Sequence, residues 1–508
     1  MKNNKLVNLE ELQNIISNLK TGGKKIVYCH GVFDLLHIGH IRHFEQAKKY
    51  GDILIVTLTP DEYVKKGPHN PIFHQNIRME VLASLDIIDY VALNKWPTAV
   101  NTMKFLKPDF YVKGIEYKNI ENDYSRGIIE EENAIKEVGG QLKFTDDLVF
   151  SSSALINRYM NIFTKESENF LIELSKKYSQ KEVIGYLEQI KNLKILVIGE
   201  AIIDEYCYGK SIGKAGKEPI LALKYLNTEK FAGGTLAIAN HLADFCENVA
   251  LFTLLGERDI QENFIEDNLN KKIKRLFHHK KDSPTIVKRR FIEEVPDFRK
   301  LLEFYEFNDN HLDYDQAKEL YLHLDEILPD YDVIIVADFG HGMLNNELID
   351  LITKKSKFLA VNTQVNAGNM GYNVISKYSK ADYICLDERE LRLECLNKKD
   401  EISELLPIAA KRVSCDKILV TRGSQGCIIF SSNSIKKIPA FSNHVVDTMG
   451  AGDAFLSITS PLVALNVPME IVGFIGNAIG ALKVKTIGNK ESIEKIALYK
   501  YIKSLMSW

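Results

Sequence analysis

The sequence predicts an α/β protein of two domains, the first a doubly wound parallel sheet, and three observations point there. Short apolar runs ending in polar residues alternate with helix-patterned stretches along most of the chain, as buried parallel strands and their crossover helices do. The rhythm lapses into a charged, helix-prone stretch between about Ser153 and Leu193, then restarts. The length, 508 residues, suffices for two or three separate cores.

In the first half, Lys25-Ile26-Val27-Tyr28-Cys29 reads as a strand, followed by an amphipathic helix from about Ile38 to Tyr50. Further strands are expected at Ile53 to Leu58, Tyr90 to Leu93 and Asp109 to Val112, separated by helical stretches, so the sheet should be parallel. The lapse holds Phe170-Leu171-Ile172-Glu173-Leu174 and reads as a helical connector. Lys194 to Gly199 then opens a second series of strands, at Val333 to Ala337, Phe358 to Val361, Tyr383 to Leu386 and Lys417 to Thr421. The expected division is 1–160, a connector 161–190, and 191–508.

Lys and Arg number 65 against 68 Asp and Glu, a net charge of -3, which gives no reason to expect a nucleic-acid or membrane surface. Basic runs such as Lys271-Lys272 and Lys288-Arg289-Arg290 are expected on solvated faces. The seven cysteines, Cys29, Cys207, Cys246, Cys385, Cys395, Cys415 and Cys427, show no Cys-x-x-Cys spacing and read as reduced core thiols. Met1 to Leu6 lacks the apolar run of a signal peptide, and no segment has the uninterrupted length of a membrane span, so a cytoplasmic location is expected.

Two segments carry chemistry. In Val446-Asp447-Thr448-Met449-Gly450-Ala451-Gly452-Asp453-Ala454-Phe455, the small residues let backbone approach an anion at a helix start, and Asp453 sits where a hydroxyl can lose its proton. In Gly31-Val32-Phe33-Asp34-Leu35-Leu36-His37-Ile38-Gly39-His40, two imidazoles three residues apart at a helix start can converge on one phosphate. His-x-x-His alone would equally suit a metal site or a satisfied core pair.

The first segment resembles the signature of the ribokinase-like, PfkB-type carbohydrate kinases, and other pieces agree: Gly199 to Tyr206, Phe231 to Asn240, Ala337 to Gly342 and Thr421 to Gly426. The resemblance implies a ribokinase-like α/β domain with Asp453 as base and sugar near Asp204, Gly233, Gly234 and Asn240. It implies phosphate and ATP near Gly450, Ala451, Gly452, Thr421, Gly423, Gly426 and Asn477. Magnesium would come with the nucleotide through few direct protein ligands, with no dedicated metal site. Asn362, Gln364 and Asn366 offer amides that can read sugar hydroxyls or cap a loop.

The second segment resembles the cytidylyltransferase-like superfamily, whose Gly-x-Phe-Asp-x-x-His-x-Gly-His loop binds a triphosphate. That resemblance implies a Rossmann-like nucleotidyltransferase domain with His37 and His40 catalytic. Gly31, Phe33, Lys66, Arg78, Lys113, Ser151, Ser152 and Ser153 would be nucleotide-binding. Asp34 is expected to hold the loop, and His43, His69 and His74 are expected to be bystanders.

Together the halves resemble the bifunctional heptose-phosphate kinase/adenylyltransferases of ADP-heptose synthesis, with the domain order reversed. Val361-Asn362-Thr363-Gln364 stands where that family has Asp-Pro-Lys, and Glu116 departs toward the alditol-phosphate cytidylyltransferases. The expectation is a bifunctional enzyme of nucleotide-sugar synthesis acting on a nucleoside triphosphate, ATP or CTP, and a sugar phosphate, as a homodimer. CDP-sugar or CDP-alditol synthesis, or an active transferase with a non-catalytic sugar-binding module, are the alternatives.

Overall fold

The computed structural model describes residues 4–64, 71–114, 117, 127–145, 157, 162–293, 298–442 and 445–508. Residues 1–164 with 499–508 form one compact unit, and 165–498 form the other.

The first unit holds strands β1 (Ile26–Gly31), β2 (Ile53–Leu58), β3 (Tyr90–Leu93), β4 (Phe110–Gly114) and β5 (Gln141–Thr145). All pair in parallel in the order β3-β2-β1-β4-β5. The order reverses between β1 and β4, which opens a crevice beyond their carboxyl ends. Ile26, Val27, Tyr28 and Cys29 of β1 are fully buried, as expected of a strand covered on both faces. The helix Leu9–Thr21 starts at a capping box in which Asn8 and Glu11 satisfy each other's backbone N–H. The helix Ile38–Lys48 follows β1, and its start sets the first candidate site.

In the second unit the helices Lys165–Lys177 and Gln180–Gln189 lead into β6 (Lys194–Gly199), β7 (Ala201–Lys214), β8 (Leu221–Gly234), β9 (Asn248–Arg258), β10 (Lys274–Pro284), β11 (Ile286–Glu293) and β12 (Arg299–Glu306). After these come β13 (Val333–Asp338), β14 (Leu359–Thr363), β15 (Tyr383–Asp387), β16 (Lys417–Thr421), β17 (Cys427–Ser431) and β18 (Ser434–Ile438). Nine strands make the main sheet, β10-β9-β6-β13-β14-β15-β16-β17-β18, parallel except where β17 and β18 turn back as an antiparallel edge. Leu196, Ile198, Ile334, Val336, Val361, Ile384, Ile418 and Val420 build one shared core.

A second, four-stranded sheet, β12-β11-β7-β8, was not expected from the sequence. The chain passes from β6 into β7 at Gly199, whose φ of +144° and hypothetical Cβ only 2.0 Å from the Ala337 carbonyl oxygen leave no room for a side chain. Asp204, expected just past a strand end, therefore lies inside β7. The outer strand β12 and most of β8 are solvent-exposed, so they lack the apolar run that marks a strand of the main sheet. The Lys288-Arg289-Arg290 run is also corrected: it lies in β11, where Lys288 and Arg290 are buried. Alternation, not solvation, decides which of its side chains face inward.

Candidate active sites

In the second unit the helix Ala451–Ala464 begins on Gly450 in the left-handed region, φ +75°. A Cβ there would come within 2.1 Å of Asn489 Oδ1, so only glycine lets this turn and the Asn489 loop approach. A Cβ on Gly452 would meet nothing within 4 Å, so space lies over the first helical turn, whose N–H groups have no intrahelical acceptor. Ala451 is the first helical residue.

Asp453 sits in that first turn, 8% exposed. Burial, with the charge of Asp204 next, pushes its carboxyl up to about 7, against the pull of Lys288, Gln364 and Lys483. Gln364 Nε2 donates to Asp453 Oδ1 at 2.9 Å. The Gln364 backbone is fixed on both sides: its N–H donates to the Asp338 carbonyl at 2.8 Å, and its carbonyl accepts from Asn373 Nδ2 at 3.1 Å and Asn369 Nδ2 at 3.3 Å. Asn366, expected either to read sugar hydroxyls or to cap a loop, donates to the Phe339 carbonyl at 3.1 Å and belongs to this same clasp.

Asp204 faces the turn from β7. Its Oδ1 accepts from Arg290 Nη1 at 2.5 Å and its Oδ2 from Asn489 Nδ2 at 3.3 Å. Gly233 packs so tightly on it that a Cβ would lie 2.2 Å from Asp204 Oδ2, and Gly234, φ +55°, starts the helix Thr235–Ala243. Asn489 Oδ1 is buried with no donor among the described residues. Beside Asn489 a cavity of about 340 Å³ is lined by Phe231, Ala232, Asn240, Asn268 and Lys490 among others. The Asn240 amide is used to tie the Asn268 carbonyl and the Asn270 N–H together.

The turn is backed by a charged network that sequence reasoning missed. Asp447 accepts from Lys300 Nζ at 2.6 Å, Tyr206 Oη at 2.8 Å, Gly488 N at 2.9 Å and Met449 N at 3.1 Å. Lys483, fully buried, donates to the Gly488 carbonyl and, at 3.4 Å, to Thr486 Oγ1; burial pulls its ammonium down to about 8. Lys300 and Lys483 lie far from any motif, so only the fold could reveal them.

Of the residues expected around ATP, Thr421, Gly423 and Gly426 lie at the β16–β17 turn, and Asn477 lies within the helix Met469–Lys483. Thr421 closes β16, and Gly423 (φ +54°) and Gly426 (φ +79°) shape the turn into β17. Asn477 is buried and donates to the carbonyls of Ile438 and Pro439, which leaves its Oδ1 as the remaining polar atom. Near β14, Glu390 receives the N–H groups of Asp387 and Val365, while burial pushes its carboxyl up to about 8.

In the first unit, His37 caps the helix Ile38–Lys48: its Nδ1 accepts from Gly39 N at 3.1 Å. His40 Nδ1 lies 3.4 Å from His37 N, and the two rings are 3.9 Å apart at 32°. Burial lowers the His37 pKa, so the ring is neutral near pH 7 and, with Nδ1 accepting, its proton sits on Nε2 as a donor. Phe33, φ +47°, lays its ring against Gly31, His40 and Phe44. Asp34 holds the loop, accepting from Ile72 N at 2.7 Å and Phe73 N at 2.9 Å.

Arg78, expected at the nucleotide, is 1% exposed and bonded to the carbonyls of Phe73, Val32 and Thr59 and to Asp61 Oδ1 at 2.5 Å. It fastens the loops that carry the site. Lys113, at the end of β4, pairs with Glu131 at 3.0 Å and lies 4.6 Å over the Tyr117 ring. His43 bonds Thr145 Oγ1 at 3.0 Å, and burial with Lys113 nearby takes it down to about 4. His74 caps the helix Gln75–Ala83 and pairs with Asp61. Lys66, His69, Glu116, Ser151, Ser152 and Ser153 lie outside the described residues.

Comparison with known proteins follows this division. Residues 28–158 match the cytidylyltransferase-like family and residues 192–496 match the pfkB family carbohydrate kinases. The bifunctional protein HldE of Aliarcobacter butzleri is 38% identical over 141 residues, 27% of this chain and 29% of that protein. That of Geobacter metallireducens is 34% identical over 167 residues, 32% of each. These similarities fall on the N-terminal domain, and the chain spans about three-tenths of the length of those relatives. A crystal structure of phosphofructokinase-2 from Escherichia coli in complex with substrates and products shares the fold over 61% of this chain and 99% of its own, with a TM-score of 0.50 at 15% identity. Among the described residues no helix is long and apolar enough to cross a membrane. With 192–496 of its 508 residues matched, the chain belongs to the pfkB family of carbohydrate kinases and carries a cytidylyltransferase-like domain ahead of the kinase domain.

Proposed function

We propose that the chain is a bifunctional enzyme of nucleotide-sugar synthesis: a kinase for a sugar or heptose-like sugar phosphate, and a nucleotidyltransferase for a sugar 1-phosphate. The observation that carries the kinase half is Asp453, a buried carboxyl near neutrality at the mouth of a glycine-flanked helix start. An acceptor hydroxyl gives its proton to Asp453 as its oxygen attacks the γ-phosphorus of ATP; the bond to the bridging oxygen breaks and ADP leaves. The N–H groups of Gly450 and Gly452 at the helix start stabilise the charge on the transferring group. Asp204, Gly233, Gly234 and the cavity lined by Asn240 hold the sugar, with Asn489 Oδ1 as an acceptor for one of its hydroxyls. Thr421, Gly423, Gly426 and Asn477 flank the nucleotide.

In the other half a phosphate oxygen of the sugar 1-phosphate attacks the α-phosphorus of a nucleoside triphosphate and pyrophosphate leaves. The Nε2–H groups of His37 and His40 stabilise the charge that builds on the α-phosphate oxygens, with Gly31, Phe33 and Lys113 around the nucleotide. The sequence resemblance to the heptose-phosphate kinase/adenylyltransferases favours ATP as the donor and a heptose phosphate as the acceptor. Magnesium would come with the nucleotide and would supply neutralisation of phosphate charge, with few direct ligands from the chain.

A homodimer through the second sheet completes the reading. Ile212, Ile220, Leu221, Tyr225, Leu302 and Phe304 expose apolar surface on these strands and the β7–β8 turn. Light scattering should give twice the chain mass, and Ile212→Lys with Leu302→Lys should give the monomer. For the activities, pyrophosphate and ADP release are measured with ATP or CTP against heptose, hexose and alditol phosphates. ATP with heptose phosphates supports the reading; CTP with an alditol phosphate moves it to CDP-linked precursors, and no turnover with any pair overturns it.

A further inference from the structure

Lys288 is the one cation around the kinase turn whose ammonium has no hydrogen-bond acceptor among the described residues. Its neighbours are all engaged. Lys280 donates to the carbonyls of Asn308 and Asn310, both at 2.6 Å, Arg290 to Asp204 and Glu303, Lys300 to Asp447, and Lys483 to Gly488. Lys288 is only 7% exposed, and its Nζ lies 5.4 Å from the Tyr305 ring centroid and 5.6 Å from that of Phe339.

The carboxylates that attract it are Asp204, Asp453 and Glu200, and each has other partners. Asp204 takes Arg290 and Asn489, Asp453 takes Gln364, and Glu200 takes the N–H groups of Phe339 and His341 at 3.0 Å each. Lys288 pairs in register with Asp204 across β11 and β7, so it is fixed on the wall of the same cleft. A buried ammonium with three unused donors is costly unless something arrives to accept them. Burial lowers its pKa, as expected of a charge awaiting a counter-ion.

We propose that the Lys288 ammonium binds a phosphoryl oxygen of a ligand in the cleft between Asp204 and Asp453. This rests on the kinase reading and deepens it. The oxygen can come from the terminal phosphate of the nucleotide or from a phosphate already on the sugar acceptor. Lys288→Met removes the charge and keeps the apolar stem between the two rings.

Calorimetry on the full chain compares wild type with Lys288→Met for three probes: the magnesium complex of a non-hydrolysable ATP analogue, magnesium ADP, and inorganic phosphate in the presence of magnesium ADP. A charge-assisted hydrogen bond predicts an affinity loss of about 10- to 100-fold. Loss for the ATP analogue with ADP unchanged assigns the terminal phosphate; loss for inorganic phosphate with both nucleotides unchanged assigns the acceptor phosphate. Unchanged affinity for every probe that wild type binds overturns the proposal. Wild type that binds neither nucleotide instead removes the kinase reading beneath it. Lys288→Met should melt no more than a few degrees below wild type, and Lys288→Gln replaces it if the Met variant does not fold.

Discussion

Gln364 donates from Nε2 to Asp453 Oδ1 at 2.9 Å, which fixes one carboxylate oxygen of the residue proposed as the base. Its bond favours the ionised carboxylate and so opposes burial, the larger effect. Kinase rate should therefore rise with pH through a value near 7, because the base works deprotonated. Gln364→Leu should move that limb to higher pH by about one unit, the equivalent of one hydrogen bond to a charged group. A pH profile of kcat/KM checks it; an unmoved limb means Gln364 does not act on the base.

The same carboxyl sets a stability signature. Its folded pKa is raised, so its contribution is present below the unfolded value near 4 and is lost as pH rises through about 7. Asp453→Asn should thus gain thermal stability relative to wild type between pH 5 and pH 8, by a few degrees. Melting curves across that range read the difference, and a gap that narrows with rising pH contradicts the raised pKa.

His37 has two roles that substitution can separate. Its Nδ1 caps the helix Ile38–Lys48, a bond that Asn can replace and Ala cannot. His37→Ala should lose about 1 kcal/mol of stability and slow pyrophosphate release, whereas His37→Asn should keep stability and still be slow. If Asn restored the rate, His37 would be a cap alone.

Arg78 is expected to be a structural arginine. Removing a buried guanidinium that bonds three carbonyls and Asp61 should cost about 3–5 kcal/mol, and Arg78→Lys should not restore it because lysine lacks the planar fork. Denaturant unfolding of the full chain measures this. An Arg78→Lys protein of normal stability that binds nucleotide weakly would instead return Arg78 to the ligand.

Much of the fold was legible because buried parallel strands are apolar throughout: Ile53–Leu58, Tyr90–Leu93, Lys194–Gly199 and Lys417–Thr421 run as the sequence predicts. Small residues at a helix start marked the kinase site, where Gly450 takes a positive φ, and two histidines at a helix start marked the other. The sheet β12-β11-β7-β8 was not legible, because its strands mix exposed apolar residues such as Leu302 with buried charges such as Lys288 and Arg290. Those two were read as solvated because a basic run looks the same whether its strand faces water or a carboxylate. Gln364 stood out as a departure from Asp-Pro-Lys and as an amide for sugar or a loop, but its bond to Asp453 was not legible, because it depends on a loop clasped by Asn369 and Asn373.

The two-site reading is tested most directly by measuring ADP formation and pyrophosphate release on the same preparations of wild type, Asp453→Asn and His40→Ala, with the substrates that wild type turns over. Asp453→Asn should lose kinase turnover and keep pyrophosphate release; His40→Ala should keep kinase turnover and slow pyrophosphate release roughly 100-fold, the loss of one charge-stabilising donor. Folded variants that lose both activities together, or neither, contradict two separate sites built on these residues.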